Sequence, residues 1–222
     1  MCGRYNLITD VQALVDFFEL SNSLAVSPRY NIAPSHKVPA VRQVDGQREA
    51  VLLHWGLLPH WAKDRKLAYK TINARAETVA EKPAFRNAFR QRRCLIPATG
   101  FFEWRGIKGG KQPYNIQRRD GGLMAFAGLW ECWTSDEGEQ VDSCTIIVTA
   151  ANDTVRPIHD RMPVILDREY HSTWLDPTIQ DPNRLKPLLK PCPAELIHAY
   201  PVTRSVGSPA NDGPACVARL PE

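Results

Sequence analysis

Several features that mark common protein classes are missing from this chain of 222 residues. No apolar run approaches the roughly 18 residues of a membrane-spanning helix. The longest, Leu123 to Trp130, is the length of a strand. Neither a Gly-x-Gly-x-x-Gly nor a Walker phosphate loop occurs, which removes Rossmann and P-loop readings. No two cysteines have Cys-x-x-Cys spacing, so a zinc ribbon is excluded, and no metal or cofactor is expected. The opening MCGRYNLITD has no basic segment followed by an apolar one. No secretory signal is therefore read, and a cytoplasmic location without membrane attachment is expected. Nor does one sign of charge dominate, since 28 Lys and Arg against 24 Asp and Glu leave +4. With a pI near 8.8, a nucleic-acid partner is permitted but not required.

What is present suits a folded domain. Hydrophobic residues make up 43% and charged residues 23%, enough apolar matter for a sizeable core. Six cysteines in a long, unsignalled chain do not call for a disulfide framework, and Cys132 and Cys144, inside apolar runs, are expected to be buried. The 18 prolines are spread throughout and punctuate many short elements. Asp10 reads as the N-cap of a helix carrying Val11, Leu14, Val15 and Phe18. Further helices are expected over 83–91, 167–175 and, more weakly, 181–190. In the first of these, Arg86, Arg90 and Arg93 would share one basic face. Strand signals cover 49–53, 93–96, 101–105, 114–118, 123–130, 144–149 and 164–166. Gly106 to Lys111 and Asp120-Gly121-Gly122 read as hairpin turns. Antiparallel connections without a βαβ rhythm predict one α+β domain over 1–222, strand-rich, with a folded or barrel-like sheet.

Three places could carry chemistry. Cys2 follows the initiator methionine, and loss of Met1 would give it a free α-amine beside its thiol. An α-amine titrates near ~8, so a useful fraction is neutral and nucleophilic at physiological pH. An aldehyde can form an imine with that nitrogen, after which sulfur closes a five-membered thiazolidine. Ile158-His159-Asp160-Arg161-Met162-Pro163 offers a proton-transfer group between a turn and a strand. Phe101-Phe102-Glu103-Trp104 sets a carboxylate among aromatics, where burial would raise its pKa. Each has a plainer reading as well. Cys2 can be an incidental cysteine, His159 a packed or solvated side chain, and Glu103 the outward-facing residue of a strand. The polar run Thr71 to Glu77 can be a wet strand face.

Taken together, an ordered series of motifs narrows these choices. It comprises Met1-Cys2-Gly3-Arg4, Arg29 to Pro34, Trp55 to Trp61, Ile72 to Thr78, Arg93 to Pro97, Gly100 to Trp104, Thr149 to Ala151 and Ile158 to Pro163. The series resembles the SOS response-associated peptidase family, whose members process abasic sites in DNA. The resemblance implies a bifurcated, mostly antiparallel sheet with a small barrel and flanking helices. It implies a partner, single-stranded DNA containing abasic sites; a monomer that becomes nucleoid-associated when bound to DNA is expected. By the same likeness Cys2 is the nucleophile, Asn73 orients the linkage, Glu103 assists opening of the sugar ring and His159 handles protons. Arg4, Arg75 and Arg161 match phosphate-contacting arginines and should converge on one groove. Pro34, Trp61, Trp104 and Thr149 match positions lining the DNA cleft.

Two departures stand out. Some relatives carry adjacent tryptophans where this chain has Trp61-Ala62, and Val206 to Pro209 lacks an asparagine pair often found there. Other functions stay open at this level. Cys2 could serve an N-terminal hydrolase that processes itself, the imine could support β-lyase chemistry, or the arginines and aromatics could bind single strands without covalent capture.

Overall fold

The computed structural model describes residues 2–221. Its strands, in chain order, are β1 Tyr5–Leu7, β2 Arg29–Ile32, β3 Lys37–Val44, β4 Gln47–Trp55, β5 Asn73–Arg75, β6 Arg93–Ala98, β7 Gly100–Ile107, β8 Gly110–Arg118, β9 Met124–Thr134, β10 Gln140–Ala150, β11 Arg161–Pro163 and β12 Ile197–Pro201. The α-helices are α1 Val11–Phe18, α2 Arg86–Gln91, α3 His171–Leu175 and α4 Pro182–Leu185.

A closed barrel forms the centre. Strand β3 turns into β4 through Asp45-Gly46, both at positive φ, 48° and 80°. That conformation matches the twist of a two-residue hairpin. β3 also pairs with β6, β6 with β9, and β9 with β10, all antiparallel. β10 then meets β4 in parallel at Ser143 and Cys144, which completes the ring. Beyond the barrel, β10 continues between two short strands. β5 lies parallel to it at Ile146–Val148, and β11 antiparallel at Val148–Ala150. A second sheet runs β12-β8-β7-β1-β2 and packs across the barrel. Tyr5 of β1 meets Trp55 edge-on at 5.4 Å and Phe126 at 6.0 Å. The α+β, strand-rich expectation is met, as is α1, whose first turn is capped by Asp10 Oδ1 accepting from the Ala13 amide at 2.8 Å.

Several local expectations are overturned. Asp120 to Gly122 is not a hairpin, because β8 pairs with β7 and β12 while β9 belongs to the barrel. The turn passes the chain from one sheet to the other. Residues 164–166 form no strand; the pairing to β10 is made just before, by β11, and Ile165 makes only an isolated bridge to Phe126. Cys132 is exposed, since it faces outward on the end of β9 beyond the barrel. The basic helical face fails at Arg93, which begins β6 and is 3% exposed. Its guanidinium donates to the carbonyls of Phe89, Arg90, Trp174 and Asp176. Those carbonyls end α2 and α3, so one buried arginine supplies C-terminal capping to two helices at once.

His171 holds α3 against α1. Its buried ring stacks on Phe18 at 5.6 Å and meets Phe17 edge-on at 5.8 Å. Burial, reinforced by the positive charge of Arg48, pushes its pKa down to about 4. An unfolded histidine titrates near ~6.5, so the unfolded chain takes up a proton first as pH falls. Native stability is therefore lost from about pH 6.5 down to about 4, and His171 contributes no pH dependence above that window. Melting temperatures across it should fall more steeply for the native chain than for His171→Phe, which keeps the stack without the charge. Parallel curves would contradict this assignment.

Candidate active site

The site grows from the way β7 is covered. Along a strand, alternate side chains face opposite ways. Phe101 joins the main core and Phe102 a separate cluster with Val202, Val206 and Cys216. Glu103 shares the side of Phe101, so the carboxyl sits at the rim of the main core with 2% of its surface exposed. Trp104 shares the other side and packs, half-buried, against the second cluster. Of the two readings left open for Glu103, the buried one is found, whereas Trp104 is directed away from that carboxyl.

The pairing of β1 with β7 brings the start of the chain alongside. The Phe102 amide donates to the Arg4 carbonyl at 2.9 Å, and Tyr5 is in register with Phe101. Cys2 is fully buried, with its sulfur accepting from the Arg4 amide. Burial, with the Glu103 charge added, pushes its thiol well above the ordinary cysteine range. The thiol is accordingly protonated at neutral pH. Met1 lies outside the described residues, so the expected role of its removal concerns the sequence alone.

His159 arrives from the other side on the turn between β10 and β11. Asn152 shapes that turn, its Oδ1 accepting from the Val155 amide at 3.1 Å and its Nδ2 donating to the Cys192 carbonyl at 3.0 Å. His159 Nε2 is 3.9 Å from Glu103 Oε2. His159 Nδ1 accepts from the Arg161 amide at 3.0 Å. Asp160 Oδ1 lies 3.0 Å from the same ring nitrogen. Burial lowers the His159 pKa, favouring the neutral ring. Burial pushes the Glu103 carboxyl up to about 7, with the Asp160 charge adding to the rise. A carboxyl poised there can both give and take a proton at neutral pH.

Asn73 opens β5 in register with Ile146 of β10. Its Nδ2 makes one long bond, 3.4 Å, to the Ile146 carbonyl. Its Oδ1 is buried and has no hydrogen-bond partner. The preceding Ile72 carbonyl accepts from the Trp55 indole at 2.9 Å, which ties this strand to the ring against which Tyr5 packs.

The arginines divide into two groups. Arg75 and Arg161 flank β10 at Val148 and Ala150, and both act on Glu77. Arg161 forms an ion pair with that carboxylate. Burial pushes Glu77 upward, but the bond and charge of Arg161, a backbone hydrogen bond and the charge of Arg75 together outweigh it and hold the carboxyl below its usual range. Arg4 instead turns toward the C-terminal segment, with Nη1 on Asn31 Oδ1 at 3.0 Å. Glu77, Asn152 and Asn31 are the supporting residues that motif reading did not single out. Thr149 is buried on β10 opposite Met162, and Pro34 is half-buried in the turn after β2. Trp61 is 48% exposed beside a hollow of about 400 Å3 that Lys63, Lys66 and Lys70 also line. Ala62 points inward to Leu58, Ala68 and Trp133, and the Trp133 indole donates to its carbonyl at 2.6 Å. A second tryptophan at this position would displace that small cluster. Among the described residues, no three His, Cys, Asp or Glu are grouped to hold a metal ion, and no helix is long and apolar enough to cross a membrane.

The sequence pattern described as SOS response associated peptidase (SRAP) matches residues 1–209. The chain belongs to this family. It is 42% identical over 221 residues to the abasic site processing protein YoqW of Bacillus subtilis, covering 98% of this chain and 99% of that one. The abasic site processing protein HMCES of Gallus gallus is 34% identical, over 87% of this chain and 66% of its own length. The crystal structure of a protein from Bacteroides thetaiotaomicron superposes with a TM-score of 0.89 at 28% identity, covering 99% of this chain and all of that one.

The unpartnered Asn73 carbonyl yields a stability test. An unsatisfied buried polar atom costs about 1–3 kcal/mol, and replacing it by an apolar group of similar shape can recover part of this. Asn73→Leu should therefore leave unfolding free energy in urea unchanged or raise it by roughly 1 kcal/mol. Asn115→Leu should lower it, because Asn115 is fully engaged, with Asn6 at 3.0 Å and Tyr200 at 2.7 Å. Equal losses in the two variants would make Asn73 a structural amide.

Proposed function

We propose that this protein captures abasic sites in single-stranded DNA as a covalent thiazolidine built on Cys2. The names of its relatives supply the substrate class, and one observation carries the chemistry. A carboxyl raised to about 7 faces a neutral imidazole at 3.9 Å, next to the segment bearing Cys2. Removal of Met1, by the chain itself or by an aminopeptidase, frees the Cys2 amine. An acylated nitrogen is not a nucleophile, so this step precedes the rest.

An abasic sugar is mostly closed, and its aldehyde appears when the ring opens. Glu103 takes the proton of the anomeric hydroxyl and returns one to the ring oxygen. The amine then adds to the C1′ carbonyl carbon with one N–H proton passing to the oxygen, and the C–O bond of the resulting carbinolamine breaks as His159 relays the remaining N–H proton to the departing hydroxyl, which leaves as water. Sulfur adds to the imine carbon last, and the thiol proton passes to nitrogen. The balance is one water released, one C–N and one C–S bond formed, and no change of oxidation state. Asn73 holds the forming linkage through its buried carbonyl, while Arg4, Arg75 and Arg161 hold flanking phosphates. Pro34, Trp61, Trp104 and Thr149 line the path of the strand. The same imine permits β-elimination, which ring closure suppresses by consuming it.

Intact mass after incubation with abasic single-stranded DNA, with undamaged DNA alongside, tests the proposal. A stable adduct, less one water, is expected only with abasic DNA and only from chains lacking Met1; Cys2→Ala should give none. Glu103→Ala or His159→Ala should slow adduct formation by roughly 10²-fold while affinity for the strand changes little. An equal yield from Cys2→Ala, or from a chain retaining Met1, would overturn the reading. Affinity should also fall with salt as a few phosphates are neutralised.

A further inference from the structure

The segment from Thr203 to Asp212 crosses β2 as a strap and is held there by polar bonds rather than by apolar packing alone. Asn31, fully buried on β2, is their hub. Its Nδ2 is within hydrogen-bonding distance of the carbonyls of Val206 at 3.1 Å, Ser208 at 2.9 Å and Asn211 at 2.7 Å. Its Oδ1 accepts from Arg4 Nη1. The strap in turn reaches Arg4 directly, with Val206 O at 2.8 Å from Nη1 and Gly207 O at 3.1 Å from Nη2. Asp212 latches the far end, accepting from the amides of Tyr30 at 2.6 Å and Asn31 at 2.9 Å and pairing with Arg29.

Arg4 is thus oriented entirely by neutral acceptors. Three of its five N–H bonds are engaged, leaving Nε–H and one hydrogen of Nη2. Arg29 and Arg161, by contrast, are each paired with a carboxylate. Neutral acceptors fix a guanidinium without cancelling its charge, which suits a group that is to meet an anion. The backbone of Arg4 is fixed at the same time from the site side, by its bonds to Cys2 and Phe102.

We infer that Asn31 and the strap, latched by Asp212, form a positioning device that presents Arg4 to a phosphate of the strand bound beside Cys2. The inference rests on the proposed reading of Arg4 as a phosphate contact and adds the residues that make it effective. A long side chain held in one rotamer before binding has less freedom to lose on binding. Releasing one such side chain weakens binding by roughly 3- to 10-fold.

Binding of an undamaged fluorescent single strand, measured by anisotropy over a range of salt, tests this on the full chain. Asn31→Ala and Asp212→Ala should each weaken binding by roughly 3- to 10-fold, and Arg4→Ala should remove about one unit of salt slope. In the Arg4→Ala background, the first two substitutions should change affinity by less than about twofold. That coupling separates positioning from mere support of the fold, which would lower affinity by the same factor in both backgrounds. Asp212→Ala lies outside the core and keeps the test available if Asn31→Ala folds poorly. Unchanged affinity in both single variants, or equal losses with and without Arg4, would overturn the inference while leaving the proposed function intact. Failure of the native chain to bind the strand at all would instead remove the reading of Arg4 on which it rests.

Discussion

Glu103 lies with 2% of its surface exposed on a strand whose two faces are both covered. Taking a carboxylate out of water is costly, and burial accordingly raises the group's pKa to about 7. The arrangement requires β1 on one side of β7, β8 on the other, and a hydrophobic cluster behind Phe102. The second sheet and the C-terminal segment therefore act on the site by excluding water from one oxygen-bearing side chain.

The barrel contributes one of its two longest strands. β10 runs out of the closed ring and gathers β5, β11 and the turn carrying His159 around a single extended segment. Asn73 is distant in sequence from Thr149, His159 and Arg161 but shares that strand with them as a ruler. Rigid strands are a better support for such a constellation than loops, because hydrogen-bonded register fixes each Cα. The strain of the site appears instead in its side chains, as an unpartnered amide oxygen at Asn73 and a raised carboxyl at Glu103. Both are local costs that a well-formed barrel can carry.

Much of this was legible in the residues, for reasons that can be named. Asp10 with its apolar spacing marked α1, and the glycines of the 106–111 turn marked the β7–β8 hairpin. Asp45-Gly46 carried an equally good hairpin signal for β3 and β4, and only the second of those strands was expected. Turn chemistry alone could not reveal that Asp120 to Gly122 joins two sheets, because the partner of each strand is decided by long-range pairing. Arg93 looked like part of a solvated helical face since its spacing fits one. A buried arginine capping two helices leaves no local pattern. Glu103 is the instructive case: alternation along an isolated strand favours solvent, and only the covering of both faces of β7 reverses that. Family motifs marked Glu103 and His159 as acting together, whereas the dependence of Arg4 on Asn31 emerges only when β2 and the C-terminal strap lie side by side.

The account depends on a carboxyl that remains part-protonated at neutral pH. The most direct measurement is a carbon-13 NMR titration of the Glu103 side chain in the full chain, assigned with Glu103→Gln. A midpoint at about 7 is expected, moving when His159 is replaced by alanine because the two groups face each other at 3.9 Å. A midpoint near the ordinary glutamate value of about 4.3, unmoved by that replacement, would contradict the account at its centre.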